Sequence, residues 1–200
     1  MPLPRFSRLD DAEQKRIIGA ARTAFAADGV DQATYADVIR SAGISKSSAY
    51  NYFDGRQDLL AAVLDEVADR LRAVLGSWEP VTDHSAFWVA LGEATIRLER
   101  HAAEHPDDLA LIDPAFLLRM QDGSIGWVGD VIDNGIEIAL ITVDCERDLL
   151  VWATAALLRA GDAWWVEKVK AGAVPDYEQP WTLIRGLWGA PAQPHPGATR

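Results

Sequence analysis

Cysteine is almost absent: Cys145 is the single one in 200 residues. That excludes an internal disulfide framework and fits a reducing, cytoplasmic setting. Long hydrophobic runs are also missing. The longest, Leu149 to Leu158, is too short to cross a bilayer, and nothing near the N-terminus has the apolar core of a signal peptide. No membrane partner is expected. Histidine occurs four times, at His84, His101, His105 and His195, and none pairs with a cysteine or acid at metal-ligand spacing. No nucleophile–base pair and no internal repeat stand out. The expectation is a protein that is not an enzyme, with no catalytic residue, metal or cofactor.

Positive charge is scarce as well, with a net charge of −11. The deficit is uneven. Residues 1–56 carry eight Lys/Arg against seven Asp/Glu, whereas the remainder carries 11 against 23. Acidity belongs to the second part of the chain, and Arg5, Arg8, Lys15, Arg16, Lys46 and Arg56 can line one face of the first. Hydrophobic residues make up 49%, ample for a core in one domain or two small ones.

The organising stretch runs from Gly43 to Arg56. A small-residue turn (Ala42-Gly43) precedes a helix-starting Ser45, and Asp54-Gly55 ends the short helix that follows. Ala49 and Phe53 are four apart, with Ile44 just before, so one thin face is buried. The other face carries Lys46, Ser47, Ser48, Tyr50, Asn51 and Tyr52: hydrogen-bonding groups and no acid. So short a helix needs neighbours to hold it. Leu9 to Asp28 supplies one, with Ile17, Ile18, Ala21, Ala24 and Phe25 on one side and Gly29 as a stop. Thr34 opens a second, with Asp37 near its orphan amides. Two short helices across a glycine turn, braced by a longer one, form a helix-turn-helix. Asp54 and Gln57 have capping-box spacing and open a helix over 56–75 with Leu60, Val63, Leu64, Val67 and Leu71 inward.

Thr34 through Leu60 resembles the DNA-binding domain of the tetracycline-repressor (TetR) family. The resemblance rests on Thr34, Asp37, Ala42-Gly43-Ile44-Ser45-Lys46, Tyr50, Phe53, Arg56 and Leu59-Leu60. It departs at Asn51, where the family often has a larger or basic residue, and at Tyr52, often a histidine there; the operator sequence is not carried over. The resemblance implies an all-α fold of about nine helices. A helix-turn-helix domain over 1–56, extended by the 56–75 helix, precedes a ligand-binding and dimerisation domain over 76–190. Thr34, Ser45, Lys46, Ser47, Ser48, Tyr50, Asn51, Tyr52 and Arg56 are the expected DNA contacts. Lys46 is expected to meet phosphate or a base edge, and Asn51 to read a base. Arg56, a cation in a first helical turn, opposes the helix dipole unless a phosphate sits there; the alternative is an exposed arginine with no role.

Beyond Leu75 the chain reads as helical. Gly76 to Asp83 is a link and Ser85 to Glu104 a helix. Pro106 and Pro114 break the next stretch into two short helices. Asp122-Gly123 opens another that ends at Asn134-Gly135, and Ile136 to Val143 is a connection, since a lone strand has nothing to pair with. Asp144 caps a long helix to about Lys170, and a last helix starts near Pro180. Residues 191–200, rich in Pro, Ala and Gly, are expected to be disordered.

Along the long helix Leu149, Trp152, Ala153, Ala156, Leu157, Ala160, Ala163 and Trp164 recur at helical spacing. Small residues let helices approach closely, and tryptophans supply area at the edges. Packing within one subunit would account for such a stripe. The resemblance implies instead a homodimer through the final two helices, and two half-sites need two copies. Trp152, Ala153, Ala156, Ala160, Trp164, Trp181, Ile184 and Trp188 are the expected interface. The resemblance also implies a small-molecule effector. Ligand pockets are apolar and aromatic with few polar groups, so Trp88, Phe116, Met120 and Trp127 are the expected lining, with Asp113 and Asp130 as polar candidates beside Glu93, Arg97 and Arg119. The function expected is a transcriptional regulator, a repressor that binds a palindromic double-stranded DNA operator and is released by its effector. The alternative is a helical ligand-binding or interaction module whose helix-turn-helix docks another protein; the exposed 46–51 face, without acids or large aliphatics, argues against it.

Overall fold

The computed structural model describes residues 2–176 and 178–190, and the backbone alone at Pro114, Arg119 and residues 121–124. The tail expected at 191–200 lies outside the described residues, as does the side chain of Arg119. Among the described residues the fold is all-α, with ten α-helices after a 3-10 turn at Phe6–Arg8. They are α1 Asp11–Asp28, α2 Tyr35–Ser41, α3 Lys46–Tyr52, α4 Arg56–Leu75, α5 His84–Glu104, α6 Pro106–Leu111, α7 Pro114–Arg119, α8 Gln121–Glu137, α9 Arg147–Lys170 and α10 Glu178–Trp188. Two compact units emerge. The first joins the residues up to Leu75 with Ile96–Phe116, and the second joins Gly76–Thr95 with the described residues from Leu117 on.

In the first unit, local chemistry sets the helix ends. The Asp10 carboxylate accepts from Glu13 N at 2.8 Å to start α1, and Gly29, at φ 82°, ends it. Thr34 and Ser45 cap α2 and α3 through Asp37 N and Ser48 N. Between these helices Gly43 sits at φ +65°, a conformation that suits a residue without a Cβ. Arg16 donates to the Ala42 carbonyl at 2.7 Å and holds this turn against α1. The start of α4 differs from the expected pairing with Gln57: the Asp58 carboxylate accepts from Asp54 N at 3.0 Å. Ile17, Ala21 and Phe25 of α1 are buried, as are Val38 of α2, Ala49 of α3, Phe53, and Leu59 and Val63 of α4. That core holds up the seven-residue α3.

A buried charge cluster ties α6 into the same unit. Asp108 is 1% exposed. Its Oδ1 lies 3.3 Å from Arg22 Nε of α1, and its Oδ2 lies 3.2 Å from Arg70 Nε of α4. The same Oδ2 is 2.8 Å from His101 Nε2 of α5, whose ring lies tilted against that of His105, 4.3 Å between centroids. Glu66 joins both arginines, at 3.2 Å and 3.7 Å. Thr23 Oγ1 donates to the Asp107 carboxylate at 2.7 Å and adds a second tie between α1 and α6.

In the second unit α8 packs on α9, and α9 on α10. The core is aromatic: Trp78, Phe87 and Trp188 are buried, with Phe87 meeting Trp78 at 5.1 Å and Trp188 at 6.1 Å, both edge to face. Neutral groups satisfy its polar atoms. Asn134 accepts from Trp78 Nε1 at 3.0 Å and Val81 N at 2.9 Å, and donates to the Val81 carbonyl at 2.9 Å. Thr154 Oγ1 accepts from Trp188 Nε1 at 2.9 Å. Helix α8 continues past the expected end at Asn134-Gly135 to Glu137. Gly135 is there for close packing rather than as a helix stop: a Cβ would sit 2.6 Å from Ile141 Cδ1. Of the connection expected over 136–143, Ile136 and Glu137 finish α8, and the connecting segment is 138–146, with Leu140 and Ile141 N–H both donating to the Gly135 carbonyl. Helix α9 starts two residues later than the Asp144 cap predicts, after Glu146, which makes no side-chain cap bond.

Candidate nucleic-acid interface

Helix α3 buries Ala49 and turns its other residues outward. Thr34, Ser45, Lys46, Ser47, Tyr50 and Asn51 are exposed, while Ser48 and Tyr52 are half-buried. Thr34 and Ser45 cap α2 and α3, and Lys46, Ser47, Ser48, Tyr50, Asn51 and Tyr52 lie within α3, whereas Arg56 begins α4. The hydroxyls are pre-ordered: Ser45 Oγ lies 3.0 Å from Ser47 Oγ and donates to Ser48 Oγ at 2.9 Å. Tyr50 meets Tyr35 edge to face at 5.4 Å. Burial, and then the neighbouring Tyr50 and Asp58, push the Tyr35 phenol up from its usual range, so it stays protonated. The acid within α2 is paired. Asp37 pairs with Arg40, and the Thr34 hydroxyl, followed by Arg40, holds its carboxyl below the usual range.

Arg56 departs from the phosphate-binding expectation. Its Nε donates to the Ala33 carbonyl at 2.7 Å, a second nitrogen donates to the Val30 carbonyl, and the guanidinium lies 5.4 Å from the Phe25 ring centroid. These carbonyls belong to the loop between α1 and α2, beyond the reach of a helix-dipole argument. Arg56 locks that loop to α4 and is half-buried in doing so.

The expected dimer residues divide. Along α9, Leu149 and Trp152 are each 63% exposed, Ala156 and Ala160 are exposed, and Ala153 and Trp164 are half-buried. The protomer's own core takes a neighbouring strip of the helix instead, with Leu150, Val151, Thr154 and Ala155 buried. On α10, Trp181 is half-buried, but Ile184 and Trp188 are inside. The Trp188 indole is bonded to Thr154, and its ring lies 6.0 Å from Trp88, so these two residues support the protomer from within.

The expected ligand residues are also divided. Asp113 and Phe116 belong to the first unit, where Phe116 is buried and its amide is capped by the Asp113 carboxylate at 2.7 Å. Trp88, Met120, Trp127 and Asp130 belong to the second. There Trp88 faces Trp181 at 6.4 Å and Trp188 at 6.0 Å, with the Arg185 guanidinium 5.7 Å above it. Trp127 meets Trp78 at 5.9 Å. Met120 is half-buried, while Asp130 and Glu93 are exposed on their helices. Arg97 donates to the Val74 and Leu75 carbonyls at the end of α4. The Asp108 cluster was missed by local reading. Its only sequence trace is an acid seven residues after a histidine, across Pro106.

Comparison with known proteins agrees with this geometry. A family model described as bacterial regulatory proteins of the tetR family matches residues 17–63. The HTH-type transcriptional regulator SrpR of Pseudomonas putida is 41% identical over 51 residues, 26% of this chain and 24% of that protein. An uncharacterized HTH-type transcriptional regulator of Bacillus subtilis, YfiR, is 23% identical over 108 residues, 54% of this chain and 51% of that protein. The chain thus spans about half or less of the curated relatives it matches. Among solved structures, a TetR-like transcriptional regulator from Rhodococcus sp. RHA1 has a TM-score of 0.59 at 17% identity, covering 91% of this chain and 97% of that one. The fatty acid degradation regulator FadR from Bacillus halodurans has a TM-score of 0.54 at 17% identity, covering 88% and 95%. At these identities the structures establish the fold.

Proposed function

We propose that this chain, whose residues 17–63 match the family model of bacterial regulatory proteins of the tetR family, is a homodimeric transcriptional repressor that binds a palindromic operator and is released by a small molecule. The observation that carries the reading is the outward face of α3: Lys46, Ser47, Tyr50 and Asn51 exposed together, polar, and free of acid. Base edges and phosphates match such a face. No helix among the described residues is long and apolar enough to cross a membrane.

Dimerisation is supported by the exposed α9 stripe at Leu149, Trp152, Ala156 and Ala160 and by Leu183 of α10, 61% exposed. Exposed apolar side chains recurring along one strip of a helix call for cover. Two reading helices spaced by about 34–36 Å would then face successive turns of one DNA groove. For the effector, Trp88 and Trp127 with Met120 and Asp130 in the second unit remain the proposed contacts. Release requires a compound with different affinity for two packings of the protein.

Selection of bound sequences from random duplex DNA with the purified protein is the test. The expected result is one enriched motif, inverted and repeated. Absence of any enriched sequence would overturn the reading, and a single unrepeated motif would overturn the dimer. Ala156→Glu, which places a charge against its twin, is expected to yield monomers in sedimentation and to lose operator binding.

A further inference from the structure

The chain ahead of α1 is anchored across the end of the reading helix. Leu3 N donates to the Tyr52 carbonyl at 2.8 Å. Phe6 is buried against Phe53, 4.8 Å between centroids, with Tyr52 at 6.0 Å. Between these two anchors stands Arg5, whose NH1 donates to Asn51 Oδ1 at 2.9 Å. Both side chains are exposed on the face proposed to meet DNA.

Resting on that DNA-binding reading, we propose that Arg5 is a specificity-determining residue that sets what Asn51 can read. An asparagine amide offers an acceptor oxygen and two N–H donors, and unconstrained it flips to suit either need. A guanidinium has donors only, so it fixes the flip: Oδ1 faces Arg5 and the Nδ2 donors face away. One of the two Oδ1 lone pairs is spent. The bidentate reading of adenine needs that oxygen to accept from N6 while Nδ2 donates to N7. The Arg5–Asn51 pair presents donors instead, from Nδ2 and from the guanidinium N–H groups that Asn51 leaves free. The base edge that meets two donors is guanine, where N7 and O6 both accept. The anchors at Leu3 and Phe6 make the arrangement durable, because Arg5 is held beside Asn51 by buried and backbone contacts rather than by the exposed hydrogen bond alone.

The experiment is selection from random DNA, followed by affinity and salt-dependence measurements, with wild type, Arg5→Ala, Arg5→Lys, Asn51→Ala and the double variant. Wild type is expected to prefer guanine at one position of each half-site. Arg5→Ala is expected to shift that position toward adenine, changing the guanine-to-adenine ratio on the order of tenfold. Asn51→Ala should relax the same position in part, because the guanidinium donors remain, and the double variant should lose the guanine preference altogether. Arg5→Lys keeps the charge without the fork, so it should restore the salt slope and not the guanine preference. The proposal is overturned if Arg5→Ala weakens all sequences alike, with a salt slope smaller by about 0.9 and base preferences intact, because that is the signature of a phosphate contact. It is overturned as well if Arg5→Ala matches wild type in both measurements. Failure of the underlying reading is separately visible: wild type would then enrich no sequence before any variant is compared.

Discussion

The two units solve the same problem, how to bury polar groups, in opposite ways. The first uses charge. Asp108, 1% exposed, draws two arginines and a histidine from three other helices. Its satisfaction is incomplete, since Oδ1 receives no hydrogen bond of good geometry and relies on the Arg22 charge at 3.3 Å. The second uses neutral groups. The Asn134 amide makes three bonds and the Thr154 hydroxyl one, two of these four to tryptophan indoles. Desolvating charges costs more than desolvating amides, and the mutual attraction within a buried cluster repays that cost only when every member is present. A charged hub therefore adds little net stability and punishes any single loss. A neutral hub adds a modest amount and fails gently.

The contrast is broken most directly at Asp108. Asp108→Ala takes the buried anion from Arg22, Arg70 and His101, leaving the two arginines only the more exposed Glu66, and is expected to cost about 3–5 kcal/mol, read as a lowered denaturant midpoint. Replacing Arg22, Arg70 and Asp108 together by Met, Met and Leu should cost far less than the single change; an equal or greater loss would mean the hub is a net stabiliser. Next in size is Asn134→Ala, which orphans the Trp78 indole, Val81 N and the Val81 carbonyl, at about 1–3 kcal/mol. A cost matching that of Asp108→Ala would erase the distinction between the units. Thr154→Val keeps the shape and removes only the acceptor for the Trp188 indole, so about 1 kcal/mol is expected, with a shift in tryptophan fluorescence.

The smallest effect sharpens the comparison by placing charge at the surface of the second unit. Arg147 clasps Asp133 with bonds of 2.6 Å and 2.7 Å, both residues about half exposed. The Arg147 hydrogen bond, then its charge, holds the Asp133 carboxyl below its ordinary value of 3.8. A lowered carboxylate pKa adds stability above the unfolded value and loses it as pH falls through the folded one. Arg147→Ala should therefore cost about 0.2–1 kcal/mol at neutral pH, less in high salt. The difference from wild type should start to shrink as pH falls toward the ordinary carboxylate value of 3.8 and vanish only once pH is below the lowered folded value; a difference that stays constant through the whole acid range would assign the effect to packing.

Local chemistry was legible in the sequence. Thr34 and Ser45 as caps, Gly29 and Gly43 as breaks, Pro106 and Pro114 as starts of two short helices, and the outward α3 face all follow from interactions within a few residues. Helix ends went astray where a competing local partner won, as when Asp58 rather than Gln57 reached back to Asp54. The α9 stripe was legible as periodicity, but which of two adjacent strips the protomer's core would take was not. Leu150, Val151 and Ala155 face inward while Trp152 and Ala156 face out.

The sequence alone determined the helical class, the helix-turn-helix and the residues on its polar face, because period, caps and turns act over one or two helical turns. Only the tertiary structure decided where the long charged side chains go. Arg56 closes on the carbonyls of Val30 and Ala33, 26 and 23 residues away. Arg5 reaches Asn51 across 46 residues, and Asp108 meets Arg22 and Arg70 from helices far apart in the chain. An arginine's reach and five donors leave it many possible partners. Which one it takes depends on what the packed helices bring within about 3 Å, and spacing along the chain carries no record of that.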